Sequence, residues 1–205
     1  MSKPRIKKIG ISGKIGSGKS TVADIIKDLG YFVFESDKEV DKLFNSNNIK
    51  NKIKTLFCKI KNLTNKDGSI NKTVLGEYVF SNKNELKNLE DLIYPLLNKE
   101  RQKFINSKKT EKILFFDIPL LFEKKLFTEY NFIIYVYVKE KIQKERVLKR
   151  KKMNKDKLEK ILEAQSYNLK DYQKFISINI DTSNDLDQIK QSLVSFINKN
   201  VLGFL

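Results

Sequence analysis

A glycine-rich segment near the start of the chain, GISGKIGSGKST, constrains the fold more than any other feature. Four of the eight glycines lie between positions 10 and 18, and residues 13–20 fit the pattern G-x-x-x-x-G-K-[ST] without a mismatch. Glycines let the backbone bring peptide N–H groups against phosphate oxygens. The pattern therefore predicts a loop that binds the phosphates of ATP or GTP through Gly13, Lys14, Ile15, Gly16, Ser17, Gly18, Lys19, Ser20 and Thr21.

The residues that flank this loop favour the same role. Residues 6–12 form a short apolar-rich run typical of a buried strand, and residues 19–29 carry apolar side chains at helical spacing. In a strand–loop–helix unit the helix N-terminus adds its positive dipole end, Lys19 reaches the β- and γ-phosphates, and the Ser20 hydroxyl is placed for Mg²⁺. A glycine turn without a ligand is the alternative, and this context argues against it.

The rest of the chain alternates between strand and helix patterns. Gly30 ends the first helix, and strands are predicted at 31–34, 112–116, 132–138 and 175–180. Residues 38–106 show the three-and-four spacing of apolar side chains that is typical of helices, and residues 139–165 form a long charged helical stretch. This alternation predicts an α/β fold with a mostly parallel sheet.

Composition excludes several classes of chemistry. The chain has no histidine and a single cysteine, Cys58, which excludes a disulfide framework and a cysteine or histidine metal site. A general base in this protein must therefore be a carboxylate, a lysine or a tyrosine. No run approaches the 18 apolar residues of a membrane span, and the first residues lack the apolar stretch of a signal peptide, so we expect a cytoplasmic protein without membrane contact.

The chain is strongly basic, with 41 basic and 25 acidic residues and a net charge of +16. Such a charge is compatible with a nucleic acid, a membrane surface or a small anionic substrate as partner. Only four of the basic residues are arginine, and abundant Lys, Asn and Ile are the pattern of an AT-rich genome. Because the lysines are mixed with acidic residues and Asn, codon usage explains most of the excess.

Two carboxylates are candidates for chemistry beyond phosphate binding. Asp37 follows the predicted strand at 31–34, and Asp117 ends the run at 112–116. An open α/β sheet binds its ligands beyond the carboxyl ends of its strands, so both residues are predicted to lie near a ligand. Asp117 resembles a Walker B aspartate, which would hold Mg²⁺. Asp37 follows Ser36 at a predicted helix start, so capping that helix is its alternative role.

A lysine-rich stretch follows the predicted strand at 132–138. Residues 139–160 hold nine Lys and two Arg against four acidic residues. One interpretation is a mobile lid whose Arg146 and Arg150, one helical turn apart, close over the triphosphate and neutralise charge on the transferred group. The scarcity of arginine elsewhere favours this interpretation. A solvated basic helix is the alternative.

Six segments, in order along the chain, match the pattern of one family. GISGKIGSGKSTVA is similar to GLTGGIGSGKSTVA, and DLGYFVFESDKEVDKLF is similar to LGxxVIDADxIAR. KDGSINKTVLGEYVF is similar to DGxLDRxxLRxxVF, LIYPLL to IHPLI, DIPLLFE to PLLFE, and EAQ near residue 165 to AAQ. Through these segments the chain resembles the dephospho-CoA kinases from about residue 8 to residue 195.

The resemblance implies a fold and an activity. The implied fold is a P-loop NTPase core with a five-stranded parallel sheet (residues 1–37, 107–138 and 166–205), a helical domain at 38–106 that receives the CoA-like substrate, and a helical lid at 139–165. The implied activity is transfer of the γ-phosphoryl group of ATP to the ribose 3′-hydroxyl of dephospho-CoA, the last step of CoA synthesis, with Mg²⁺ as cofactor.

The resemblance also implies residue roles. Asp37 matches the second aspartate of the family's D-A-D, which is taken to accept or orient the hydroxyl proton. Glu35, Lys72 and Tyr94 stand where the family pattern has Asp, Arg and His. The implied catalytic residues are Asp37, Lys19, Arg146 and Arg150; the substrate-binding residues are Asp37, Lys72, Tyr94, Leu120 and Glu123; the metal ligands are Ser20 and Asp117.

Two other functions remain open at this point. A nucleoside or nucleotide kinase would share the P-loop, the core and the lid but carry different acceptor-site residues. A basic NTPase acting on nucleic acid would fit the charge of +16, yet no aromatic-rich basic strand or Arg-rich face accompanies that charge. We therefore expect ATP and dephospho-CoA as partners, no nucleic acid, and a monomer or small homo-oligomer.

Overall fold

Short apolar runs form a parallel sheet in the computed structural model, which describes residues 6–151, 153–165 and 167–203. The strands of this sheet are β1 (Lys7–Ser12), β2 (Val33–Glu35), β3 (Ile113–Asp117), β4 (Phe132–Tyr137) and β5 (Ile178–Asp181), in the order β2-β3-β1-β4-β5. All of the strand pairs are parallel. The prediction of an α/β fold with a five-stranded parallel sheet is confirmed.

The helices follow the predicted apolar spacing. They are α1 (Lys19–Asp28), α2 (Ser36–Asn45), α3 (Asn47–Leu56), α4 (Lys72–Ser81), α5 (Lys83–Ser107), α6 (Glu140–Leu148), α7 (Lys155–Ala164), α8 (Leu169–Tyr172) and α9 (Leu186–Phe196). Short 3₁₀ turns occur at Leu126–Glu129 and Gln173–Phe175, and α9 continues as a π-helical turn at Ile197–Leu202. No helix in the described ranges is long and apolar enough to cross a membrane.

The chain divides into two units, each with its own apolar core. The first comprises Met1–Glu35 and Lys109–Leu205 and contains the sheet. Its core joins β1, β3 and β4 to α1 and α9 through fully buried side chains such as Ile11, Phe115 and Leu193. Because helices cover the sheet, its central strands are apolar at nearly every position.

The second unit, Ser36–Lys108, is helical. Apolar residues from α2 to α5 and the loop between α3 and α4 form its core, in which Ile53, Phe57 and Leu75 are nearly inaccessible to solvent. Asn71 and Asn82 cap α4 and α5 by accepting hydrogen bonds from backbone N–H groups of the first turn.

The structure divides one predicted segment and shifts another. The helical stretch predicted at 139–165 consists of two helices, because α6 ends at Leu148 and Asn154 caps a new helix, α7, by accepting a hydrogen bond from the Lys157 N–H. The strand predicted at 175–180 is β5 at Ile178–Asp181. Phe175 belongs to a 3₁₀ turn and packs on Phe127, with ring centroids 4.3 Å apart.

Candidate active site

The loop between β1 and α1 has a backbone that requires glycine. A Cβ atom on Gly13 would lie 2.1 Å from the carbonyl oxygen of Val136 in β4, so a side chain at this position would collide with the sheet. Gly16 has φ +76°, in the left-handed region, and a Cβ there would lie 2.5 Å from Val147 of α6. The loop is therefore pressed between the carboxyl end of β4 and one face of α6.

Lys19 closes this loop on itself. Its ammonium group donates hydrogen bonds to the carbonyl oxygens of Gly13 (2.7 Å) and Lys14 (3.3 Å). Lys19 is also the first residue of α1, followed by the exposed Ser20 and the half-buried Thr21. The first turn of α1 holds no acidic residue, so nothing there opposes an anion at the positive end of the helix dipole.

Asp117 stands beside the entry to the loop. It is the last residue of β3, and it pairs in register with Ile11 of β1, two residues before Gly13. Mg²⁺ in phosphoryl-transfer sites takes one or two carboxylates and otherwise binds phosphates and water. A carboxylate at Asp117 and a hydroxyl at Ser20 are donors of the type that Mg²⁺ accepts, so this part of the chain fits the ion.

Glu123 provides a second carboxylate in the same unit. Both of its oxygens are buried. Burial raises the pKa of this carboxyl, while hydrogen bonds from backbone N–H groups and the nearby ammonium groups of Lys19 and Lys14 partly oppose the increase. Leu120, in the same turn after β3, is half-buried. Glu123 therefore adds negative charge close to the lysines of the loop.

The raised pKa of Glu123 predicts a pH-dependent stability. The native state holds this proton more tightly than the unfolded chain does, so the ionised carboxylate destabilises the fold at pH values above its folded-state pKa. We expect Glu123→Gln to raise the Tm at about pH 7.5 and to have little effect near pH 4, where both side chains are neutral. Melting curves across this range, with the exposed Glu159→Gln as control, measure the difference. A lower Tm of Glu123→Gln at pH 7.5 would contradict this.

Arg146 is hydrogen bonded to Thr182, which was not predicted as a site residue. Its Nη1 donates to the Thr182 hydroxyl (2.8 Å) and its Nη2 to the Thr182 carbonyl (2.9 Å). The same hydroxyl donates to the carbonyl oxygen of Ser17 in the loop, at 2.7 Å. Thr182 thus links the guanidinium to the loop, and Arg150 lies beyond the end of α6 with its side chain exposed.

The helical unit holds the other three predicted site residues. Asp37 is exposed in the first turn of α2. Lys72, at the start of α4, forms an ion pair with Asp41, and its ammonium group lies 5.5 Å from the ring centroid of Phe44. The hydroxyl of Tyr94 donates to Glu90 at 3.1 Å, and burial together with this carboxylate raises the tyrosine pKa well above its usual range.

Polar side chains of the first unit are buried against the loop, and these contacts were not predicted from the sequence, although Gln165 lies in the EAQ segment that resembles the family pattern. Thr182, Gln143 and Gln165 are each at least nine-tenths buried although they are polar. Gln143 lies four residues before the buried Val147, so both occupy one face of α6. A polar residue in phase with an apolar helix face is the signal that identifies such a residue in a sequence.

This chain is similar to known proteins over most of its length. Residues 7–188 match the family model described as dephospho-CoA kinase. A dephospho-CoA kinase of Bartonella quintana is 34% identical over 194 residues, which cover 94% of this chain and 97% of the relative. The match extends across both units and is not restricted to the glycine-rich loop.

Solved structures have the same fold. A protein of Thermus thermophilus superposes with a TM-score of 0.81 at 24% identity, covering 96% of this chain and 99% of the other. A dephospho-CoA kinase from Campylobacter jejuni gives a TM-score of 0.63 at 24% identity, covering 94% and 96%. With the family model matched over most of its length, the chain belongs to the dephospho-CoA kinase family and is a phosphotransferase.

Proposed function

We propose that the protein transfers the γ-phosphoryl group of ATP to the ribose 3′-hydroxyl of dephospho-CoA, giving CoA and ADP. The observation that carries the proposal is the glycine-rich loop at residues 13–21 at the N-terminus of α1, with the Lys19 ammonium group on its carbonyl oxygens, in a chain of this family. Such a loop cradles the β- and γ-phosphates through its N–H groups.

Lys19 is the residue we assign to the transferred phosphate. Its two hydrogen bonds to the loop's own carbonyls hold the ammonium group at the loop. When ATP binds, the ammonium group exchanges those carbonyls for β- and γ-phosphate oxygens and stabilises the charge that develops on them during transfer. The remaining loop residues, Gly13 to Thr21, orient the triphosphate.

Ser20 and Asp117 would hold Mg²⁺. When bound there, Mg²⁺ would supply positive charge that neutralises the phosphates. Asp117 lies at the carboxyl end of β3, in register with the strand that leads into the loop, and Ser20 opens α1. The role of the chain is to supply a carboxylate and a hydroxyl there.

Asp37 is the proposed base for the acceptor hydroxyl. With no histidine in the chain, a carboxylate is the suitable group, and Asp37 follows the carboxyl end of β2 by two residues. We assign contacts with dephospho-CoA to Lys72, Tyr94, Leu120 and Glu123. In the helical unit, Lys72 offers a positive charge next to Phe44. Tyr94 stays protonated at physiological pH, so its hydroxyl can donate a hydrogen bond to an acceptor.

One assay tests the proposed function. Purified protein is incubated with radiolabelled ATP, Mg²⁺ and one of three acceptors: dephospho-CoA, adenosine or AMP. We expect label transfer to dephospho-CoA only, with the product carrying a 3′-phosphate. Preferred labelling of adenosine or AMP would instead identify a nucleoside or nucleotide kinase, and ATP hydrolysis stimulated only by nucleic acid would identify the basic NTPase.

The arginines of the 139–165 segment give a further prediction. Replacing Arg146 or Arg150 with Lys preserves charge but removes the planar fork, which binds Thr182 in the case of Arg146. We expect each variant to lower kcat by about tenfold, equivalent to ~1.4 kcal/mol of transition-state stabilisation. Single-turnover kinetics with ATP and dephospho-CoA measure the effect.

The neighbouring lysines provide the control for this prediction. Lys151→Gln and Lys155→Gln remove exposed charges of the same segment and should change only the salt dependence of ATP capture, because such charges mainly steer. If the arginine and lysine variants behaved alike, and ligands did not protect residues 139–165 from proteolysis, the segment would be a solvated basic region and not a lid.

A further inference from the structure

The backbone of Ile15, in the phosphate-binding loop, is hydrogen bonded on both sides by side chains from outside the loop. The N–H of Ile15 donates to Oε1 of Gln165 at 2.8 Å, and Nε2 of Gln143 donates to the carbonyl oxygen of Ile15 at 2.7 Å. Gln143 belongs to α6, and Gln165 follows the last residue of α7. The two glutamines thus bind the two consecutive peptide groups that flank the Ile15 Cα.

Both glutamines are buried to an extent that is unusual for this residue. Gln143 is 8% exposed and Gln165 is 7% exposed. Glutamine is mostly exposed in proteins, and burial of its amide is costly unless the polar atoms are hydrogen bonded. The bonds to Ile15 supply partners for these buried amides, so the two side chains are placed to hold the loop.

The roles of the two amides cannot be exchanged. A backbone N–H can only donate and a backbone carbonyl can only accept, so Gln165 must present its oxygen and Gln143 its NH₂ group. Val147, one turn after Gln143, fills the space beside Gly16, where no side chain would fit. The face of α6 that carries Gln143 and Val147 therefore fixes two consecutive residues of the loop.

We propose that Gln143 and Gln165 are positioning residues for ATP binding. By binding the N–H and the carbonyl oxygen of Ile15, they hold the loop in the conformation that receives the phosphates, and they couple the loop to both helices of the 139–165 segment. The inference rests on the proposed function, since it takes residues 13–21 as the ATP site. Neither glutamine is placed in contact with ATP.

A pair of isosteric variants tests the proposal. Gln165→Glu keeps an oxygen that accepts from the Ile15 N–H, whereas Gln143→Glu replaces the required donor with an acceptor that faces a carbonyl oxygen. Both changes add the same charge at similarly buried positions. We expect Gln143→Glu to weaken ATP binding about tenfold or more, and Gln165→Glu to stay within about twofold of the exposed control Gln191→Glu.

Methionine variants complete the series. Gln143→Met and Gln165→Met each remove the hydrogen bond without adding charge, so both should weaken ATP binding. Rescue at position 165 by Glu but not by Met identifies the hydrogen bond, and not packing, as the cause. If Gln143→Glu fails to fold, the ATP affinities of Gln143→Met, Gln165→Glu and Gln165→Met test the proposal instead.

Two measurements provide the readouts. Calorimetry gives the Kd of ATP directly. Limited trypsin digestion followed by mass spectrometry gives the cleavage rate of the Lys14–Ile15 bond, whose N–H donates to Gln165. In the absence of ATP we expect faster cleavage there in Gln143→Glu and in both methionine variants, but not in Gln165→Glu.

Specific outcomes would overturn the inference. Equal losses of ATP affinity in the two glutamate variants would show that added charge and not bond polarity is responsible, and unchanged affinity and cleavage in all variants would show that the glutamines do not position the loop. In both cases wild-type protein that binds ATP and phosphorylates dephospho-CoA leaves the proposed function intact. Failure of the wild type to bind ATP would overturn both.

Discussion

Lys19→Met is expected to reduce phosphoryl transfer by at least about 10²–10³-fold while the protein remains folded. The methionine side chain preserves much of the length but removes the ammonium charge that we assign to the β- and γ-phosphates. The two hydrogen bonds from Lys19 to the loop carbonyls are lost as well, which is expected to lower the free energy of unfolding by about 1 kcal/mol. Steady-state transfer to dephospho-CoA and a thermal melt measure the two effects.

Lys27→Met is the matched control, because Lys27 lies in the last turn of the same helix. Its ammonium group forms ion pairs with Asp24 (2.8 Å) and Glu35 (2.7 Å), away from the loop. Loss of these partly exposed pairs should lower stability by no more than ~1 kcal/mol and leave kcat unchanged. Wild-type turnover in Lys19→Met would mean that the loop at 13–21 is not the phosphate site.

Asp37→Asn is expected to lower kcat by roughly 10²-fold or more and to leave the Kd of ATP nearly unchanged. The amide keeps the shape of the side chain but cannot accept the hydroxyl proton of dephospho-CoA. Turnover at saturating substrate and calorimetric binding of ATP separate the chemical step from nucleotide binding.

Glu39→Gln distinguishes this role from a purely structural one. Both Asp37 and Glu39 lie in the first turn of α2, where an acidic side chain interacts favourably with the helix dipole. If Asp37 acts only on the helix, the two variants will lose similar stability, up to about 1 kcal/mol, and both will keep full activity. A base role requires a large kcat effect in Asp37→Asn alone.

Local sequence patterns were sufficient to predict the parts of the molecule that depend on neighbours in the chain. The glycine spacing predicts the loop because Gly13 and Gly16 occupy positions that larger residues cannot adopt. The strands β3 and β4 were predictable because strands covered by helices are nearly continuously apolar. Asp117 could be placed at the end of β3 for the same reason.

Contacts between distant segments were not predictable in this way. The charged stretch 139–165 has helical composition throughout, but Asn154 begins a separate helix and α6 packs on the loop through Val147. The hydrogen bonds of Arg146 to Thr182, 36 residues further along the chain, were not predicted, and its role toward the triphosphate stays a prediction. No local pattern reports which distant backbone group a buried polar side chain will find.

The strand order has a consequence for how the chain becomes organised during synthesis. Although β1 and β2 are adjacent in sequence, they do not pair with each other, because β3 lies between them. A nascent chain that has emerged only as far as residue 108 therefore has both strands but no sheet, while the helical unit at 36–108 already contains every residue of its own core. The strand β1, which leads into the glycine-rich loop, gains a partner on one side only when β3 emerges and on the other only when β4 follows.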